Sequence, residues 1–280
     1  MSRALWFCAG LLLCAATFIP LSELRKALPP AERLGHLPSP GVTYFASLEH
    51  RALVSELIFY RTMFYYGALV HQPKQAPDYG ALYAFLDTAT RLNPGNIDAY
   101  YFAQAILTWD AKMVRPVNGL LQRGIAKRPW DADLPFYLAF NYYYFLGDFE
   151  HAARYFEITA RLNPEVSYFG TLTARALYQA DKTELAIRYL QNLLKGTKNQ
   201  AVRKQIAVRV DALARIRFLE VACQRYRDKA GRAPASIEEL VTAGVIKGIP
   251  PDPYGGVFYL DPRDGRVKTT SNLAETRKAQ

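Results

Sequence analysis

Three prolines close three segments of this 280-residue chain at equal intervals. RLNP runs from Arg91 to Pro94, KRP ends at Pro129, and RLNP returns from Arg161 to Pro164, so each proline follows the last by 35 residues. Proline lacks an amide donor and fixes its own φ, so beyond the first turn it ends a helix. A period near 34 with proline closing each unit is the spacing of a helix-turn-helix array, whose units bury their apolar faces against one another. The spacing predicts a mostly α fold built from antiparallel helix pairs.

One unit carries more than the proline. In GDFEHAARYFEITARLNP, Gly147 permits a turn between two helices, Ala152 keeps volume small where those helices cross, Phe156 fills the space between units, and Pro164 stops the second helix. Gly147, Phe149, Ala152, Phe156, Leu162 and Pro164, with Tyr143 in the preceding helix, resemble the signature of tetratricopeptide repeats. The next unit, from Ser167 to Lys198, keeps Ala174, Ala186 and Leu190 but has neither the turn glycine nor the closing proline. The unit before it has Tyr101 and Ala105 in place, with Pro116 and Val117 where a small residue is expected; Pro116 fits if it opens a helix. The unit ending at Pro94 is preceded by the loop HQPKQAPD and a long aromatic helix, LEHRALVSELIFYRTMFYYG. Three to four repeats are expected across Asp78 to Lys198, within a repeat domain at 43–199.

The resemblance implies a solenoid whose first helices line a concave groove. By that register the groove holds Phe102, Ile106 and Trp109 in one unit, Tyr137, Asn141 and Tyr144 in the next, and Tyr168, Arg175 and Tyr178 in the last. Rings with an amide and an arginine suit an extended peptide or a partner helix. The same rings also suit plain packing, or cover by the helix from Leu48 to Gly67.

At the N-terminus, ALWFCAGLLLCAATFIPL (Ala4 to Leu21) is uncharged and spans about 27 Å as a helix, close to the roughly 30 Å of a bilayer core. It reads as a membrane anchor over 1–21, or as a cleaved signal with Cys14 and Ala16 before the cut. Positive charges lie on both sides, Arg3 before it and Arg25, Lys26 and Arg33 after it. The expectation is a single-pass anchor in a bacterial inner membrane with the body facing the periplasm, joined by a linker at 22–42. Cys8 and Cys14 fall in the leader, so Cys223 is the sole thiol of the body and no disulfide framework forms there.

From Gln200 to Lys229, Val202, Ile206, Val210, Leu213, Ile216, Leu219, Cys223 and Tyr226 recur at threes and fours, one helical stripe that buries Cys223. Gly231 ends that helix, SIEE at Ser236 to Glu239 starts a short one reaching Ala243, and Val257 to Leu260 and Arg266 to Thr270 alternate as two strands around the turn DPRDG. The stretch QRYRDKAGRAPASIEELVTAGVIKGIPPDPYGGVFYLDPRDG, through Tyr226, Gly231, Pro234, Leu240, Pro250, Asp252, Pro253, Tyr254 and Gly255, resembles the C-terminal part of the major pseudopilins of type II secretion. This sets a unit at 200–271 with a tail at 272–280. The leader has no glycine-then-glutamate processing site like that of pilins, which argues against polymerisation into a pilus. Some pseudopilins bind calcium near this end, where Asp252, Asp261 and Asp264 offer oxygens; each also serves as a turn or cap residue.

No catalytic constellation stands out. His36, His50, His71 and His151 are scattered without metal spacing, and there is no phosphate loop, so neither an enzyme nor a cofactor is expected. The net charge of +10 includes nine Lys or Arg against three acids over residues 201–232. A solvated basic face accounts for this; the alternative is a basic repeat protein that binds nucleic acid or another anionic polymer.

Overall fold

The computed structural model describes residues 3–27, 34–70 and 76–271; Arg33, His71, most of the loop HQPKQAPD and the tail at 272–280 lie outside the described residues. The chain divides into two compact units, Met1–Pro129 and Trp130–Gln280, a boundary inside the expected repeat domain. The fold is mostly α and tetratricopeptide-like, with an apolar N-terminal helix and a small two-stranded C-terminal sheet.

In the first unit, α1 (Arg3–Ala27) is followed by α2 (Pro40–Ala46), α3 (Arg51–Val70), α4 (Tyr79–Leu92), α5 (Ile97–Phe102) and α6 (Val114–Lys127). Helix α1 has the length and composition of a membrane span or a signal sequence, and its described side chains are almost all exposed. α3 and α4 form a hairpin locked by buried polar groups: the Ser55 hydroxyl donates to the Ala89 carbonyl at 2.8 Å and accepts from the Asn96 amide at 3.2 Å. Asp87, nearly buried on α4, accepts from Arg91 on its own helix and from Arg123 on α6, which ties the second helices of two successive pairs together. Pro116 sits in the first turn of α6, where its missing amide leaves no helix bond unmade.

The second unit contains α7 (Asp133–Phe140), α8 (Phe149–Leu162), α9 (Ser167–Gln179), α10 (Thr183–Gly196), the 31-residue α11 (Gln200–Ala230) and α12 (Ile237–Thr242), then β1 (Phe258–Leu260) and β2 (Val267–Thr269). The strands pair antiparallel with Phe258 opposite Thr269 and Leu260 opposite Val267. Ala139, Ala152, Ala174 and Ala186 are all fully buried at helix crossings. Phe258 and Val267 enter a core with Ile187, Leu190, Ile216, Leu219 and Ile237, so the sheet is sealed onto the last helices by apolar contact. Arg266 fastens it further, reaching the Gln179 carbonyl and Asp181 in the turn after α9.

The sequence period has a direct backbone counterpart. Asn93, Arg128 and Asn163, each preceding a proline, have φ of −134°, −131° and −126° and donate to the carbonyls of Ala89, Gly124 and Thr159. Thr197 ends α10 with the same four-residue bond, to Leu193, although Lys198 follows it in place of proline. The turns inside the pairs match as well: Lys112, Gly147 and Asp181 all have positive φ, at 56°, 63° and 64°. The repeats without a turn glycine therefore make the same turn, and Lys112 and Asp181 bear its backbone cost of about 1–2 kcal/mol.

Local details depart from expectation. The first helices of two pairs finish in π turns, Ala103–Leu107 and Asn141–Leu146, which the 3.6-residue period does not foresee. The Ser236 hydroxyl makes no capping bond to the α12 backbone; Glu239 instead reaches back to the Ala235 amide at 2.6 Å.

Candidate partner-binding site

The proposed groove residues have different fates. In the first unit, Phe102 packs edge-on against Phe59 and Tyr66 of α3, at 5.9 and 5.7 Å between ring centres. It belongs to the packing between helices and does not face a groove. Tyr66 is itself held by a hydrogen bond to Asp110 at 2.6 Å; its partial burial, helped by that carboxylate, pushes its hydroxyl up to about 12. Ile106 is half-buried and Trp109 stays exposed at the end of the π turn.

In the second unit, Asn141 is fully buried and must be withdrawn from the groove. Tyr137 is half-buried. Tyr144 is 61% exposed and stacks on Phe140 at 5.4 Å with a 13° interplanar angle, a rigid ring pair open to solvent on one side.

The last three residues do come together. Tyr168, Arg175 and Tyr178 project from one side of α9 at near-helical spacing and line a cleft of about 260 Å³ whose other wall is the N-terminal half of α11. That wall supplies Val202, Gln205, Ile206, Arg209 and Leu213. Tyr168 is 60% exposed at the rim, and the Arg175 guanidinium lies 5.7 Å from the centre of the Tyr143 ring, which positions it. Tyr178 lies deeper; burial first, then the charge of Glu220, pushes its hydroxyl up to about 12, so it stays protonated at neutral pH. The cleft thus has apolar walls, two arginines and no carboxylate in its lining. Gln205 and Arg209 are one turn apart on α11; Arg209 reads in the sequence as part of a solvated basic face, and nothing in the periodicity aims either residue at α9.

The aspartates near the sheet are already engaged. Asp261 binds Lys268 and Arg263, Asp264 binds the same Lys268 at 3.0 Å, and Asp252 accepts from the Ser271 hydroxyl at 2.6 Å and from Thr269. Lys268 fills the place between Asp261 and Asp264 that a cation would take, and hydrogen bonds from it and from the Arg263 amide hold the Asp261 carboxyl down at about 2. Among the described residues no group of His, Cys, Asp or Glu is arranged to hold a metal ion. Cys223 is buried and its thiol is pushed up by that burial, the opposite of a reactive thiolate.

No family model matches the chain, and no curated protein matches it. Among solved structures, the crystal structure of MamA protein aligns with a TM-score of 0.40 at 18% identity, covering 56% of this chain and 81% of that one.

Proposed function

We propose that this chain is a membrane-anchored helical-repeat scaffold that binds protein partners, with the anchor in a bacterial inner membrane and the body in the periplasm. The observation that carries the reading is the α9–α11 cleft: preformed, aromatic at its rim, apolar within and lined by arginines without acids. A role in envelope assembly or in secretion and pilus-like biogenesis is supported by the apolar leader and by the resemblance of the C-terminal segment to the major pseudopilins. The anionic-polymer alternative has less to draw on. Arg203, Arg215, Arg217 and Arg227 of α11 are committed to carbonyls and side chains of this protein, so the local charge is only partly available.

The test is affinity capture from envelope extract with the tagged full chain, comparing the native protein with Arg175→Ala and Tyr168→Ala. Partners lost in both variants, with helicity unchanged, support the cleft. Partners that survive both place the binding surface elsewhere. Binding that collapses steeply with added salt would favour the polymer alternative.

A further inference from the structure

Helix α3 is apolar on both faces. Its inner face buries Ile58, Phe59, Tyr65 and Leu69, and this is the side that also carries the hydroxyls of Ser55 and Thr62. Its outer face presents Leu53, Leu57, Tyr60 and Phe64, spaced by four, three and four residues into one stripe, with Phe64 69% exposed. A helix hydrophobic all round belongs in a core or against an apolar surrounding, and here only one side has a core.

The turn entering α3 extends the pattern. Phe45 is 79% exposed and Leu48 69% exposed. Leu48 also has φ +47°, a left-handed conformation that leucine disfavours, so the turn holds an apolar side chain outward at a backbone cost. The Arg51 guanidinium sits 3.7 Å over the Tyr44 ring, a cation and a ring at the edge of the patch.

We infer that the outer face of α3 and the α2–α3 turn lie in the headgroup region of the lipid bilayer that α1 enters. This rests on the reading of α1 as a membrane anchor. The length of chain makes it a lipid surface: Leu34 is buried in the unit, and seven residue steps from Ala27 reach at most about 25 Å, so the first unit is held close to the membrane that α1 crosses. Tyrosine and phenylalanine rings beside leucines are the side chains that favour such an interface, and Arg25 at the end of α1 suits anionic headgroups, while Lys26 beside it pairs with Glu23 at 2.7 Å.

The experiment uses the full chain with Cys8, Cys14 and Cys223 replaced by serine or alanine, reconstituted in phosphatidylcholine–phosphatidylglycerol vesicles. Single cysteines carrying an environment-sensitive fluorophore are placed at Leu57→Cys and Phe64→Cys, with Leu13→Cys reporting on α1 and Glu157→Cys on α8 as a water-exposed control. Lipids brominated near the top of the acyl chains should quench positions 57 and 64 several-fold more than 157, with a blue-shifted emission. Quenching at 13 but not at 57 and 64 overturns the inference and leaves the anchor standing. No quenching at 13 removes the anchor and the inference with it. Chain-to-chain crosslinking through position 57 without lipid quenching assigns the stripe to a second copy, which also overturns it.

Discussion

Helices α8 and α3 place their apolar side chains in opposite ways. On α8 the buried set is Ala152, Ala153, Phe156 and Thr159, while His151, Arg154, Glu157 and Arg161 face out, so the helix is complete once its neighbours in the array are present. On α3, Phe59 and Tyr65 are buried on one face while Leu53, Leu57, Tyr60 and Phe64 are exposed on the other. The difference teaches that a repeat helix answers only to its neighbours, whereas α3 also answers to something outside the described fold.

The same substitution at the two helices gives the sharpest contrast. Ala152→Arg forces a long cation into a fully buried crossing and should cost about 3–5 kcal/mol, read as a large fall in the denaturant midpoint or outright unfolding. An unchanged melting temperature would mean that α8 does not pack as described. At the turn leading into α8, Gly147→Val should cost about 1–2 kcal/mol through its positive φ, since no atom crowds the site. The reverse change in the first unit, Lys112→Gly, should add about 0.5–1 kcal/mol, because the same turn there bears the backbone cost of a side chain. A loss of stability in Lys112→Gly would show that its side chain matters more than its backbone.

Acid provides a smaller, local probe of the second unit. Hydrogen bonds from Arg232, from Tyr226 and from the Ala235 amide hold the Glu239 carboxyl at about 2, below its ordinary 4.5. The folded value is the depressed one, so its stabilisation is present above pH 4.5 and is lost as pH falls toward 2. Amide protection factors at α12, corrected for the intrinsic pH dependence of exchange, should therefore fall across that window, and Glu239→Gln should flatten the response while α8 stays protected. The smallest expected effect is Leu57→Arg on α3: stability of the fold in the absence of lipid should change by less than about 0.5 kcal/mol, checked by chemical denaturation. A fall of several kcal/mol would place the outer face of α3 in a core and erase the contrast.

Much of this was legible along the chain. The proline interval located the ends of α4, α6 and α8, Ala152, Ala174 and Ala186 proved fully buried while Ala105 is half-buried, and the stripe on α11 matched its packed face. Alternation located both strands to within a residue at each end. Less legible was the site. Register named Tyr168, Arg175 and Tyr178, but it also named Asn141, which is enclosed, and Phe102, which is packed against α3. It passed over Gln205 and Arg209, because a polar residue on a helix looks the same whether water or another helix lies beside it.

By itself the sequence determined that the chain is mostly helical, where α4, α6 and α8 stop and which faces of α8 and α11 are apolar, since those properties follow from local backbone chemistry and a period of three to four residues. Only the tertiary structure decided that Lys112 and Asp181 turn as Gly147 does, that Ser55 belongs inside while Leu57 remains outside, and that α11 closes a cleft over α9. Those outcomes depend on which surfaces from distant parts of the chain meet, and a helical period carries no record of its partner.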